Sequence, residues 1–263
     1  MVRVTLSAGF GVLLSSSAAF AGAWTWEEGH GQVVVTATPS TAVDVFDGAR
    51  SLVSAPRYNK FEFNVLLEYG VTDWFTAIVS PGFQHIDIAA PVDARRTGLG
   101  YSEAGARIRI LQGPNWVVSG QATVRVPGTF DAANPAAVGN NGIEQDTRLL
   151  FGYSFAVGSW PAFLDLQFGQ RVRFGDPPSE LRADATLGVR PQPRWLVLAQ
   201  LFNVVSEGAS PPVFPSSDYS KLQFSVVYDL TKQWSLQGGA FTTFRGRNAL
   251  HENGLLLGAW YKF

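Results

Sequence analysis

A chain of 263 residues with no cysteine and a formal net charge of −1 cannot be held by disulfides and offers no basic surface to a polyanion, which excludes nucleic acid as a natural partner. Only 16% of its residues are charged and 13% are aromatic, against roughly 25% charged in an ordinary soluble domain, a balance suited to a protein whose outside meets lipid. One all-β unit of this length is ordinary.

The first predicted element is an export leader. Arg3 supplies a positive start and Val4 to Leu14 an apolar stretch, too short for a bilayer-spanning helix, which takes roughly 20 apolar residues. Ser15 to Ala18 then lead into Ala19-Phe20-Ala21, which has the A-x-A form of a cleavage site. Cleavage after Ala21 makes residues 1–21 a signal peptide and 22–263 a barrel domain; Ala21-Gly22-Ala23 offers a second site of the same form. No later segment has a long uninterrupted apolar run, so the chain crosses a membrane as strands if it crosses one.

Period-two alternation then runs through almost all of the remaining sequence. Gly31 to Thr38 opens it less regularly. In Tyr58 to Gly70, Phe61, Phe63, Val65, Leu67 and Tyr69 point one way while Lys60, Glu62, Asn64 and Glu68 point the other, which makes a strand with one apolar and one polar face. Trp74 to Gln84 follows. From Tyr101, Ala104, Ala106, Ile108 and Ile110 oppose Glu103, Arg107 and Arg109; in Trp116 to Val126, Val118, Ala122, Val124 and Val126 oppose Ser119, Gln121, Thr123 and Arg125. Thr147, Leu149, Phe151, Tyr153 and Phe155 oppose Glu144, Asp146 and Arg148, and Leu164, Leu166, Phe168, Val172 and Phe174 oppose Asp165, Gln167, Arg171 and Arg173. Leu181, Ala183, Ala185, Leu187 and Val189 oppose Arg182, Asp184 and Thr186. After Trp195 to Val205, the segment with Leu222, Phe224, Val226 and Tyr228 opposes Lys221, Gln223, Ser225 and Asp229; Trp234 to Arg245 and Gly254 to Phe263 complete the set. The expected fold is all-β, an antiparallel up-and-down transmembrane β-barrel of about twelve strands, each near the 9 to 11 residues a tilted strand needs to cross a bilayer.

Connections support this fold. Short turns at Val71 to Asp73, Gly113 to Asn115, Gly158 to Pro161, Arg190 to Arg194 and Thr231 to Gln233 alternate with longer links at Pro39 to Arg57, His85 to Leu99, Pro127 to Gly142, Ser206 to Ser217 and Gly246 to Asn253, with Gly175 to Ser179 brief. Outer-membrane barrels have short periplasmic turns and longer outer loops. Trp74, Trp116, Trp195 and Trp234 each follow a short turn, which puts them at one depth as a membrane-interface girdle, with Phe263 at the chain's end. A soluble sandwich is the alternative, but its strands are shorter and it has no reason to gather indoles at one end.

The closing Gly258-Ala259-Trp260-Tyr261-Lys262-Phe263 resembles the C-terminal assembly signal of bacterial outer-membrane proteins. Leu67-Glu68-Tyr69-Gly70-Val71-Thr72-Asp73-Trp74 resembles the hairpin of predicted outer-membrane transporters, including those grouped with phenol-degradation-pathway channel proteins. Gly22-Ala23-Trp24-Thr25, Thr97 to Glu103 and Gly258 to Phe263 are similar to XagA-type barrels found with surface-polysaccharide synthesis genes. The resemblance implies an outer-membrane location, lipid and the barrel-assembly machinery as partners, the latter through the C-terminal segment, and polysaccharide-synthesis or export proteins as further ones. It implies no site residue.

Inward-facing candidates are Lys60, Glu62, Glu68, Glu103, Arg107, Arg109, Arg125, Glu144, Asp146, Arg148, Asp165, Arg171, Arg173, Arg182, Asp184 and Lys221. Two readings stay open: the charges pair across strands and fill the interior, or Arg107, Arg109, Arg125, Arg171, Arg173 and Arg182 form a track for anionic or hydroxyl-rich solutes. About twelve strands lie between a filled eight-stranded barrel and a wide porin, so a narrow pore, gated or plugged by its own side chains and loops, is expected. His30, His85 and His251 sit in or near loops and strand ends without metal-site spacing, and Gly152-Tyr153-Ser154-Phe155-Ala156 lies within a strand and lacks the second glycine of a nucleophile elbow. No catalytic residue, metal or cofactor is expected. The expected function is an outer-membrane channel or export component, for a surface polysaccharide or small polar or anionic solutes; the alternatives are a docking barrel without transport and an outer-membrane hydrolase.

Overall fold

In a computed structural model, residues 22–128, 134–137, 142–175, 178–206 and 215–263 are described, and the expected leader lies outside the described residues. Alternation of lipid-facing and inward-facing side chains produces twelve strands among them. These are β1 (Gly31–Phe46), β2 (Leu52–Thr72), β3 in two pieces (Phe75–Ser80 and Gly82–Ile88), β4 in two pieces (Ala94–Leu99 and Ser102–Gln112), β5 (Trp116–Val126), β6 (Ile143–Val157) and β7 (Trp160–Phe174). They continue with β8 (Glu180–Gln192), β9 (Trp195–Ser206), β10 (Asp218–Asp229), β11 (Trp234–Arg247) and β12, again in two pieces (Ala249–Leu250 and Asn253–Lys262). Each pairs antiparallel with the next, and β1 meets β12 through Val33 opposite Tyr261 and Val35 opposite Ala259. Closure satisfies the backbone polar groups that an open edge would present to lipid.

The breaks have a local cause. Pro81, which has no N–H to give the ladder, separates the two pieces of β3, and the gap in β4 at Gly100 lies beside it, with the Gly100 N–H donating to the Gly82 carbonyl at 2.9 Å.

Burial runs opposite to that of a soluble protein. Phe61, Phe63, Leu149, Phe151, Phe168, Leu181, Phe224, Leu255 and Leu257 are exposed on the outer face, whereas Glu68, Thr76, Arg107, Ser119, Glu144, Asp146, Asp165 and Arg171 are buried inside. A closed sheet with such a greasy exterior and paired backbone is a membrane-spanning barrel.

Three expected long links are mostly strand. β1 runs on to Phe46 and β2 starts at Leu52, leaving only a turn in which the Asp47 carboxylate accepts the N–H groups of Ala49 and Ser51 at 2.8 Å each. The alternating run Thr41 to Phe46 outweighs the punctuation suggested by Pro39 and Ser40. Likewise β3 reaches Ile88 and β4 begins at Ala94, and β11 and β12 are separated by Asn248 alone. With 16 and 21 residues, β1 and β2 exceed the roughly 9 to 11 that a bilayer requires, so the barrel wall continues beyond the membrane on the side away from the short turns. The links Pro127 to Gly142 and Ser206 to Ser217 lie partly outside the described residues.

Candidate functional site

Gly22 to Trp26, ahead of β1, lies inside the barrel at the short-turn end, and Glu27 to His30 are exposed at its rim. Ala23 has no solvent exposure; its N–H donates to Asp165 Oδ2 of β7 at 2.6 Å and its carbonyl accepts from Ser119 Oγ of β5 at 2.5 Å. The Trp24 carbonyl accepts from Arg107 Nη1 of β4 at 3.0 Å, the Trp26 N–H donates to Thr76 Oγ1 of β3 at 2.9 Å, and Trp26 Nε1 donates to Glu68 Oε2 of β2 at 3.1 Å. Segment and strands thus join through inward side chains of five different strands. Beyond Trp26 the segment turns back: Glu28 N–H donates to Asp73 Oδ1 at 3.0 Å and Gly29 N–H to the Gly70 carbonyl at 2.9 Å.

Apolar side chains flank this plug beside its polar and charged anchors. Trp24 packs against Ala23, Val117 and Leu150, and also against the cluster of Phe163, Leu196, Leu198, Val227 and Trp260; it meets Phe163 edge-on with ring centroids 6.0 Å apart. The indole of the plug is thus held by an apolar socket, and its main chain by inward polar groups.

Above it the charges pair. Arg107 meets Glu68 at 2.8 Å. Arg125 meets Glu103 at 3.1 Å and also Glu144, and its guanidinium lies 4.5 Å over the Tyr101 ring. Arg148 joins Asp146 at 2.6 Å and Asp184 at 2.7 Å; Arg171 joins Asp146 at 2.8 Å. Arg173 reaches Glu144 at 2.9 Å and Glu180 at 2.7 Å, and Arg182 reaches Glu180 at 3.5 Å. The candidate arginine track is therefore a ladder on β4 to β8 in which every guanidinium except that of Arg109 touches a carboxylate; Arg109 makes no side-chain hydrogen bond or ion pair among the described residues. Lys60 and Glu62 stand apart from the ladder. Lys60 touches Glu62 at 3.1 Å and Glu252 at 2.9 Å, and Glu252 also holds Lys221 at 2.8 Å and the Ser40 hydroxyl at 2.6 Å.

Between plug and ladder is a cavity of about 310 Å³. Glu103, Arg107, Asp146, Arg148 and Arg171 line it from β4, β6 and β7; Val34, Leu66, Ile78 and Trp260 line it from β1, β2, β3 and β12. One wall is charged, and the facing one carries these four apolar side chains together with Gln32 and Glu68. Of the remaining inward candidates, Asp165 lies under the plug, while Arg125, Arg173, Arg182 and Asp184 brace the ladder without lining the cavity.

Glu180 and Glu252 escape sequence reasoning because each abuts a segment rich in turn formers, although Glu180 has the same parity as Arg182 and Asp184. The plug escapes it because it has no alternation; the signal was the pair of inward glycines beneath it, Gly70 and Gly152. At the rim, Trp74, Trp160, Trp195, Trp234 and Phe263 are exposed and Trp116 is half-buried over Gly113, and Phe263 stacks on Tyr69 at 6.4 Å. The histidines sit elsewhere: His85 Nδ1 is 2.6 Å from Thr97 Oγ1, His251 meets the Phe46 ring, and His30 lies 3.1 Å from the Glu28 carbonyl.

The family described as "Putative MetA-pathway of phenol degradation" matches residues 28–259. No curated protein matches the chain. Among solved structures, an outer membrane channel from Pseudomonas putida F1 is similar at 15% identity with a TM-score of 0.73, over 91% of this chain and 97% of that one. The NanC porin follows at 10% identity and TM-score 0.56, over 88% and 100%, and the translocator domain of the autotransporter NalP from Neisseria meningitidis at 12% and 0.54, over 89% and 88%. At such identities the likeness carries the fold, that of a bacterial outer-membrane barrel.

Proposed function

This chain belongs to the MetA-pathway of phenol degradation family, and from that premise we propose that it is a plugged outer-membrane channel for a small, uncharged or weakly acidic amphipathic solute about the size of a phenol. The observation that carries the reading is the cavity of about 310 Å³ with its two unlike walls. Its volume lies near the lower end of the roughly 300–1,000 Å³ found for small-molecule sites.

The charge pattern favours a hydroxyl over a strong anion. Six arginines of the ladder, Arg107, Arg125, Arg148, Arg171, Arg173 and Arg182, face six acids, Glu68, Glu103, Glu144, Asp146, Glu180 and Asp184. A neutralised wall still offers dense donors and acceptors to a phenolic hydroxyl but no net field to concentrate anions. Val34, Leu66, Ile78 and Trp260 suit the ring of such a solute. A polysaccharide would need an unbroken bore, and here Trp24 and Trp26 occupy the short-turn end.

Passage in this reading requires the plug to shift, which its attachment by hydrogen bonds and packing permits. Trp74, Trp116, Trp195 and Trp234 with Phe263 set the depth at the periplasmic interface, and lipid is the partner of the outer face.

Planar-bilayer recording of the folded chain tests the proposal. Brief conductance steps that phenol interrupts in a concentration-dependent way, and that maltotriose leaves alone, are expected. Folded protein without steps would leave a docking barrel as the function, and equal block by maltotriose would overturn the solute class.

A further inference from the structure

Among the described residues, no cationic side chain forms an ion pair with the Asp165 carboxylate. It has no solvent exposure and accepts hydrogen bonds from two neutral donors, the Ala23 N–H at 2.6 Å and Gln167 Nε2 at 2.8 Å. Glu68, Glu103 and Asp146, the acids of the cavity above it, each touch an arginine; Asp165 forms no ion pair among the described residues. A buried charge left in this condition is strongly disfavoured, and a carboxylate has lone pairs for more than two donors.

Gly22 abuts it. A Cβ at this position would collide with both Asp165 carboxylate oxygens, and the residue's φ of +85° lies in the left-handed region. Both facts call for glycine, and the first sets the main chain of residue 22 against the carboxylate. Immediately before it stands Ala19-Phe20-Ala21, with the small-residue pattern of a leader-peptidase site.

We infer that the chain is processed between Ala21 and Gly22 and that the α-ammonium so formed is the missing counter-ion of Asp165, seating the plug. A leader peptidase adds water across the Ala21–Gly22 amide: the water oxygen bonds to the Ala21 carbonyl carbon, the C–N bond breaks, and the proton of the new carboxyl group passes to the Gly22 amine. With an ordinary pKa of about 7.7–8.0, that amine is cationic at neutral pH. Processing after Ala23, the other site of the same form, removes Gly22 together with the Ala23 donor and leaves Asp165 only Gln167. The inference concerns export and seating, and holds whichever solute passes.

The test begins with the intact mass of the protein expressed with its leader and purified from outer membranes. The mass of residues 22–263 with a free amine is expected; any other start, or a blocked amine, overturns the inference. Seating is read by brief acetic anhydride labelling, followed by peptide mass spectrometry. Because the carboxylate holds the ammonium protonated and seated away from the reagent, the Gly22 amine of the folded protein should react at least about tenfold more slowly than in folded Asp165→Asn. Equal rates overturn the ion pair. Should Asp165→Asn not fold, a chain with one threonine inserted between Ala21 and Gly22 moves the amine away from Asp165, and its labelling should rise likewise; continued protection overturns the ion pair.

Discussion

The indole of Trp24 fills the space that a side chain on Gly152 would need: a Cβ built there stands 2.6 Å from the indole Cη2. Gly70 does the same for the main chain of the plug, since a Cβ there would overlap the Glu27 carbonyl oxygen. Two inward glycines of β2 and β6 are thus the floor on which the plug rests.

Gly152→Val should therefore unseat Trp24 while leaving the hydrogen bonds of Ala23 and Trp26 in place. Single-channel recording is expected to show a several-fold higher open probability, with the folded band of heat-modifiable gel migration unchanged. Conductance equal to that of the unsubstituted protein would mean that the indole is not the obstruction.

Arg107 links the ladder to the plug. It pairs with Glu68 at 2.8 Å and donates to the Trp24 carbonyl at 3.0 Å, with both side chains of the pair about 5% exposed or less. Arg107→Met removes the cation and leaves Glu68 buried with only the neutral donors Trp26 Nε1 and Gln32 Nε2, a loss on the order of 3–5 kcal/mol. The urea midpoint of the micelle-bound barrel should fall accordingly. Adding Glu68→Gln should recover part of the loss, because it is the stranded charge and not the missing bond that costs most.

What was legible beforehand follows from the same chemistry. A strand such as Leu149 to Phe155 shows its period because lipid on one side and a polar interior on the other select opposite residue types at every step. Alternation reports the face, however, and not the partner across the lumen. Arg171 and Asp165 carry the same inward signature on β7, yet one meets Asp146 and the other no ion-pairing group among the described residues. The plug has no such signature at all. Ala23 and Asp165 touch across 142 residues of sequence, and only the closure of the barrel brings them together. Pro39 and Ser40 carry the opposite ambiguity: they have the look of a turn yet lie within β1, because a β-strand extended above the membrane tolerates turn formers when β-branched residues follow.

Glu144 joins three arginines of the ladder, touching Arg125, Arg173 at 2.9 Å and Arg171 at 3.7 Å, as Glu180 joins Arg171, Arg173 and Arg182. Glu144→Gln keeps the shape and removes one negative charge from a wall whose arginines and acids balance. The surplus of guanidinium should draw anions, so the reversal potential in a KCl gradient is expected to move toward that of chloride, and more so at low ionic strength, where screening is weaker. Arg171→Gln should move it the other way. Identical selectivity in both variants would show that ions do not pass along this wall.

The tryptophans divide into two populations that lipid can distinguish. Trp74, Trp160, Trp195 and Trp234 are 54%, 47%, 42% and 48% exposed at the short-turn rim, whereas Trp260 is 8% exposed inside, in the cluster that packs against the plug indole Trp24. Amphipathic rings at the rim belong at headgroup depth. In bilayers of brominated lipid, bromines placed near the carbonyl end of the acyl chains should therefore quench fluorescence more than bromines near the methyl end. A residual signal from the lumen indoles should persist at either depth. Because Trp24 belongs to that shielded group, Gly152→Val should alter this residual signal without changing the depth profile of the rest. Quenching that is strongest at the bilayer centre would place the rim elsewhere and remove the basis for the barrel's vertical position.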